Sequence, residues 1–218
     1  MPKHLQNDLE RLKKAVLEIG TRVEENLTHA IASLTTRDRV LAARTIDGDR
    51  EIDRREVLIE EECLKILALH QPVAKDLRFV VAILKLNNDL ERVGDLAVNI
   101  AQRTLSLTAL VPVPIPDDLA EMAQKARAML RKSFDALIES DAQMAREVCA
   151  ADDAVDRLHR DLFQMLQNEI KKSPQLVEEY VHLLSVTRYL ERVADQATNI
   201  AEDVIYMVEG TVVRHHIE

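Results

Sequence analysis

The chain has 218 residues and a formal net charge of −9, with 38 Asp and Glu against 29 Lys and Arg, a balance that argues against a nucleic-acid face or a polybasic membrane anchor. Aliphatic side chains dominate: hydrophobic content is 47% with only 3% aromatics, no Trp and 4 Gly, which rules against a twisted sheet and predicts an all-α fold. Cys63 and Cys149 lack any CxxC spacing, so zinc-ribbon and thioredoxin-type chemistry find no support and a buried, reduced thiol is expected.

From Leu5 the apolar residues fall at Leu9, Leu12, Val16, Ile19 and Val23, continued by Leu27, Ile31 and Leu34. This four-and-three spacing is that of a helix in a bundle seam. A polar break at Thr35-Thr36-Arg37-Asp38 precedes a second helix that crosses Asp49 and Asp53 and runs to about His70, where Gln71-Pro72 stops it. The third helix carries Glu91 and Asp95 and fades near Leu107. Val111-Pro112-Val113-Pro114-Ile115-Pro116 then forbids helix and is expected to be the hinge between two halves, residues 1–110 and 117–218. Beyond it Leu119, Ala123, Ala126, Leu130, Ser133 and Leu137 repeat the seam. A fifth helix from Asp141 bears Asp152 and Asp156, Ser173-Pro174 ends it, and a sixth carries Glu191 and Asp195. The expected architecture is two tandem three-helix bundles related by a pseudo-twofold repeat, with helices of about 30 residues and about 45 Å. No apolar signal core follows Met1, and the longest apolar run, Phe79 to Leu84, is far short of a membrane span; a soluble, cytoplasmic protein is expected.

The halves repeat most closely at one place. Glu91 to Ala101 returns as Glu191 to Ala201 with 8 of 11 positions identical, whereas Phe79 to Asp89 shares only Val81 and Leu84 with Glu179 to Tyr189. Upstream, Asp49-x-x-x-Asp53 is answered by Asp152-x-x-x-Asp156. Residues four apart share a helix face, so each half presents two carboxylate pairs. Like charges at that spacing cost an isolated helix about 0.2–0.5 kcal/mol, but four carboxylates within about 6 Å would repel by about 3 kcal/mol per pair at an effective dielectric near 20. Such a cluster must take up protons or a cation. Oxygen-only donors select hard ions, so Mg²⁺, Mn²⁺, Ca²⁺ or iron are the candidate metals, with Asn99 and Asn199 one turn further on as possible carbonyl donors. The competing explanation is that Arg50 with Asp53, Arg92 with Asp95 and Arg192 with Asp195 form ordinary i,i+3 surface salt bridges.

Other signals are weaker. A ferritin-like di-iron centre needs Glu-x-x-His on two helices, and the chain offers one, Glu179 with His182, on the far side of its helix from Glu191. His215-His216 near the end is an adventitious metal site at most. No nucleophile–base arrangement, phosphate loop or dinucleotide fingerprint is present, so no enzyme is expected. Long amphipathic helices with leftover apolar edges make a homodimer the expected oligomer.

Gln71-Pro72-Val73-Ala74-Lys75-Asp76-Leu77-Arg78, Asp89 to Asp95, its echo from Leu190 to Glu202, and the ending Tyr206-Met207-Val208-Glu209-Gly210 together resemble the PhoU family, and the resemblance spans nearly the whole chain. It implies two three-helix bundles, each with an acidic metal-binding signature. On that pattern Asp49, Asp53, Glu91 and Asp95 line one site and Asp152, Asp156, Glu191 and Asp195 the other. The implied role is non-enzymatic: negative regulation of phosphate uptake and phosphate-starvation signalling, coupling a membrane-bound phosphate ABC transporter to a sensor histidine kinase by peripheral membrane association. The alternative is a metal-storage or metal-dependent phosphohydrolase bundle; a third is a helical adaptor whose acidic faces are merely solvated.

Overall fold

The computed structural model describes residues 3–212, so the His215-His216 pair lies outside the described residues. Six α-helices follow one another: α1 Lys3–Thr36, α2 Arg39–His70, α3 Ala74–Leu107, α4 Asp117–Glu139, α5 Ala142–Lys172 and α6 Val177–Glu209, with a single 3-10 turn, Pro174–Leu176, before the last. The all-α expectation and its six helices are borne out. The 34 residues of α1 and of α3 reach about 50 Å.

The two halves start the same way. α1 and α4 each end on a residue with left-handed backbone, Arg37 at φ 53° and Ser140 at φ 53°, and at both corners the next residue's N–H reaches back into the last turn, Asp38 to Ser33 O at 3.0 Å and Asp141 to Ala136 O at 2.9 Å. Asp38 then caps α2 by accepting from the N–H groups of Val40 and Leu41 at 2.8 and 3.0 Å, and Asp141 caps α5 from Gln143 and Met144 at the same two distances. A constant offset of 103 residues thus relates α1–α2 to α4–α5, where the α3 and α6 motifs are offset by 100.

The aliphatic seam is the core. Leu12, Val16, Ile19, Val23 and Leu27 of α1, Leu119, Ala126 and Leu130 of α4, and Ile83, Leu90, Ala97 and Ile100 of α3 are all at most 2% exposed. Each half packs its own three helices, and the halves join chiefly along α3 and α6. These two run antiparallel: Lys85 Nζ lies 3.3 Å from Asp203 Oδ1 near one end and 5.2 Å over the Tyr206 ring, while Arg103 Nη1 lies 3.4 Å from His182 Nδ1 near the other. The Glu91–Asp95 and Glu191–Asp195 turns therefore sit at the same level of the molecule.

The segment between the halves is extended, as three alternating prolines require, yet it is pinned rather than swinging. Val113 is buried, and the Arg37 guanidinium donates to Val113 O at 2.6 Å and Leu107 O at 3.2 Å. A corner residue of the first half thus holds the linker, which no pattern of prolines reveals.

Candidate metal centre

Asp49 and Asp53 on α2 meet Glu91 and Asp95 on α3, because i,i+4 spacing aims each pair to one side of its helix and α2 packs along α3. Burial pushes the Asp49 carboxyl up to about 6, and the charges of Asp53, Asp95 and Glu91 add to the shift. Glu91 is raised by burial, then by Asp95, Asp53 and Glu56. The second half repeats this between α5 and α6: burial, followed by Asp156, Asp195, Asp153 and Glu191, pushes Asp152 up to about 6, and Asp195 is raised by burial, Glu191 and Asp156.

All eight acids therefore stand as two foursomes. One oxygen in each, Asp49 Oδ1 and Asp152 Oδ1, is buried with no hydrogen-bond partner, an arrangement that costs free energy unless something supplies a positive charge or a proton. The surface salt-bridge explanation fails: among the described residues neither Arg50–Asp53, Arg92–Asp95 nor Arg192–Asp195 is an ion pair, and the one bridge to these acids runs from Arg160 to Asp156 at 3.8 Å. No three Asp, Glu, His or Cys side chains among the described residues stand close enough to chelate one ion as they are placed. The donor chemistry suits a hard cation; the separation requires side-chain rotation before one could be held.

Two residues that the pairwise reading passed over belong to the same faces. Glu56 lies near Asp53 and Glu91 and fixes Asn87, whose Nδ2 donates to Glu56 O at 2.9 Å and Oε1 at 3.2 Å. Its counterpart is His159, whose Nδ1 is buried and unpartnered and whose ring lies within electrostatic reach of Asp195. The signal was present, since both follow the second Asp by three residues and so continue the same helix face. Gln196 Oε1 and Thr198 Oγ1 are also buried without partners in the second half. Gly94 explains the tight seat of Asp49: a Cβ there would come within 2.8 Å of Asp49 Oδ1, and the second half has Ala194 instead.

Asn99 and Asn199 are half-buried one turn beyond the acids. His182 is engaged by Arg103 and held below its ordinary pKa by burial and that neighbouring charge, away from both foursomes. Cys63 is buried, which pushes its thiol up to about 12, and both cysteines are free.

The PhoU domain model matches residues 16–104 and again 119–204, once in each half. The chain belongs to the PhoU family. A PhoU homolog from Clostridium acetobutylicum, named a phosphate-specific transport system accessory protein, is 34% identical over 95% of this chain and 95% of its own. The crystal structure of PhoU from Pseudomonas aeruginosa superposes with a TM-score of 0.92 at 33% identity, covering 94% of this chain and 99% of that one. The PhoU phosphate transport system regulatory protein from Streptococcus pneumoniae gives 0.90 at 28% identity over 96% and 99%. These PhoU proteins are named for accessory and regulatory roles, and the family is not one of enzymes. Among the described residues no helix is long and apolar enough to cross a membrane.

Proposed function

We propose that this protein is an accessory regulator of phosphate-specific transport that restrains phosphate uptake and phosphate-starvation signalling when phosphate is abundant, by coupling a phosphate ABC transporter to a sensor histidine kinase. Family membership along both halves supports the transport role. The observation that carries the mechanism is the pair of carboxylate foursomes, each with an orphaned buried oxygen and a raised carboxyl.

On this reading the acidic faces are cation-dependent docking surfaces. Asp49, Asp53, Glu91 and Asp95 would hold a divalent or trivalent ion in the first half, and Asp152, Asp156, Glu191 and Asp195 one in the second. Such an ion supplies a positive charge that can bridge carboxylates to anionic groups on a partner or membrane surface. The first foursome with Glu56 is all oxygen and suits Mg²⁺, Mn²⁺, Ca²⁺ or iron; His159 beside the second shifts its preference toward ions that accept imidazole nitrogen, iron and manganese before calcium. The protein acts at the membrane peripherally from the cytoplasm, and the exposed Val57, Leu58, Leu64 and Leu69 of α2 offer apolar edges for a homodimer.

Elemental analysis of protein purified without a histidine tag, with thermal melts in Mg²⁺, Mn²⁺ and chelator, tests the sites. Wild type is expected to carry stoichiometric metal and to gain melting temperature that Asp95→Asn/Asp195→Asn loses, because an ion bound only by the folded state stabilises it. In cells, neutralising all eight acids is expected to release phosphate-starvation reporter expression at high phosphate. Retained repression with unchanged membrane recruitment would reject the docking mechanism.

A further inference from the structure

The offset of 103 makes the second half a control for the first, and one place fails to match. Between α1 and α2 an open cleft of about 280 Å³ is lined by Arg22, Asn26, His29 and Arg44, with Glu25 as its one acid. In a chain with a net charge of −9, none of these three cationic or imidazole side chains has an ion-pair or hydrogen-bond partner among the described residues. Asn26 is only 7% exposed, and its Nδ2 donor is buried without a partner. Its Oδ1 lies against Gly48, where a Cβ would come within 3.3 Å.

The equivalent place in the second half has its charges paired. His29 and Arg44 correspond to Lys132 and Glu147, which neutralise each other at 2.6 Å. Asn26 corresponds to Met129, which is buried and apolar, and Gly48 to Ala151. One half has thus satisfied the position with an ion pair and a methionine, where the other keeps two guanidiniums, an imidazole and a buried amide donor unpaired. The unpaired Asn26 donor is buried and costly to keep, while Arg22, His29 and Arg44 are exposed around it; an anion in the cleft satisfies the first and neutralises the others.

We propose that the α1–α2 cleft binds a small phosphorylated anion, inorganic phosphate or a phosphate monoester. Guanidinium forks match phosphate oxygens bidentately, and the His29 ring and the Asn26 carboxamide add further N–H donors. The volume lies at the lower end of small-ligand pockets, enough for a phosphate group with a short substituent. The lining carries no aromatic ring besides His29, which offers little to a nucleobase. The inference goes beyond the docking role and does not depend on it, since none of these residues belongs to the acidic foursomes.

Calorimetric titration of the full chain with inorganic phosphate, glycerol phosphate and AMP tests it, in chelator so that the acidic faces take no part. The expected result is one saturable site for phosphate or glycerol phosphate, about tenfold weaker in Arg22→Gln and again in Arg44→Gln. His29→Lys/Arg44→Glu, which transplants the ion pair of the second half and so is expected to fold, should abolish binding, whereas Lys132→Gln should leave it unchanged. No saturable binding, equal binding in the transplant, or equal affinity for sulfate would overturn the proposal. Vesicles bearing phosphatidic acid form the last arm: capture of vesicles without binding of soluble esters would overturn the assignment to a soluble ligand.

Discussion

Asp49 and Asp152 are the residues whose chemistry is most at odds with folding. A carboxyl raised on folding stabilises the native state below its unfolded pKa and stops doing so as pH rises through its folded one. Raised from 3.8 to about 6, the two carboxyls contribute stability that is complete below about pH 4 and lost by the time pH has passed 6. Both are only half-buried, so solvent screening reduces the contribution to about 1 kcal/mol each. In chelator, Asp49→Asn/Asp152→Asn should therefore match wild type near pH 4 and exceed it by about 2 kcal/mol at pH 7 in urea melts, and saturating Mn²⁺ at pH 7 should close that gap. Gly94→Ala probes the same site differently. The new Cβ would meet the end of a flexible side chain, so the helix should gain up to about 1 kcal/mol from alanine while Asp49 is forced aside. In an Asp152→Asn/Asp195→Asn background, Mn²⁺ titration followed by electron paramagnetic resonance should show a weaker first site. The eight acids were legible in the sequence because duplication exposed them against drifting flanks, and Glu56 and His159 could have been read by carrying the spacing three residues further. The Gly94–Asp49 contact could not, because it depends on how closely α2 and α3 approach.

At the scale of elements, the long helices were legible because each carries an unbroken aliphatic stripe and each stop has a proline or a polar corner. The corners themselves were less so. Left-handed residues usually announce themselves as glycine, and among the described residues only Gly210 does so, the others being Arg37, Gln71, Ala74 and Ser140. Ser140 is exposed and its side chain takes no part in holding the turn, so Ser140→Gly should raise stability by about 0.5–1 kcal/mol by relieving the backbone. Arg37→Gly should not repeat that gain, since it removes the two hydrogen bonds that pin the linker. Asp38→Ala and Asp141→Ala should each cost about 1 kcal/mol, the ordinary value of a lost helix cap, measured by chemical denaturation.

For the whole molecule, the joint along α3 and α6 matters most. It was not legible, because the sequence predicts three-helix units without saying which helix of one unit meets the other. Its antiparallel course places like helices face to face across a pseudo-twofold, as two identical subunits would be placed. A fragment of residues 1–110 loses α6 as the partner of its α3 and should self-associate in sedimentation experiments, one α3 standing in for the missing α6; a stable monomer would contradict this. Joining the halves in one chain replaces an encounter that dilution weakens by one that it does not. It also lifts a constraint that binds every symmetric pair, that a change on one side must appear on the other. Glu56 beside one foursome and His159 beside the other, a cleft of unpaired cations in one half and an ion pair at the same place in its twin, are the divergence that a tethered pair is free to accumulate.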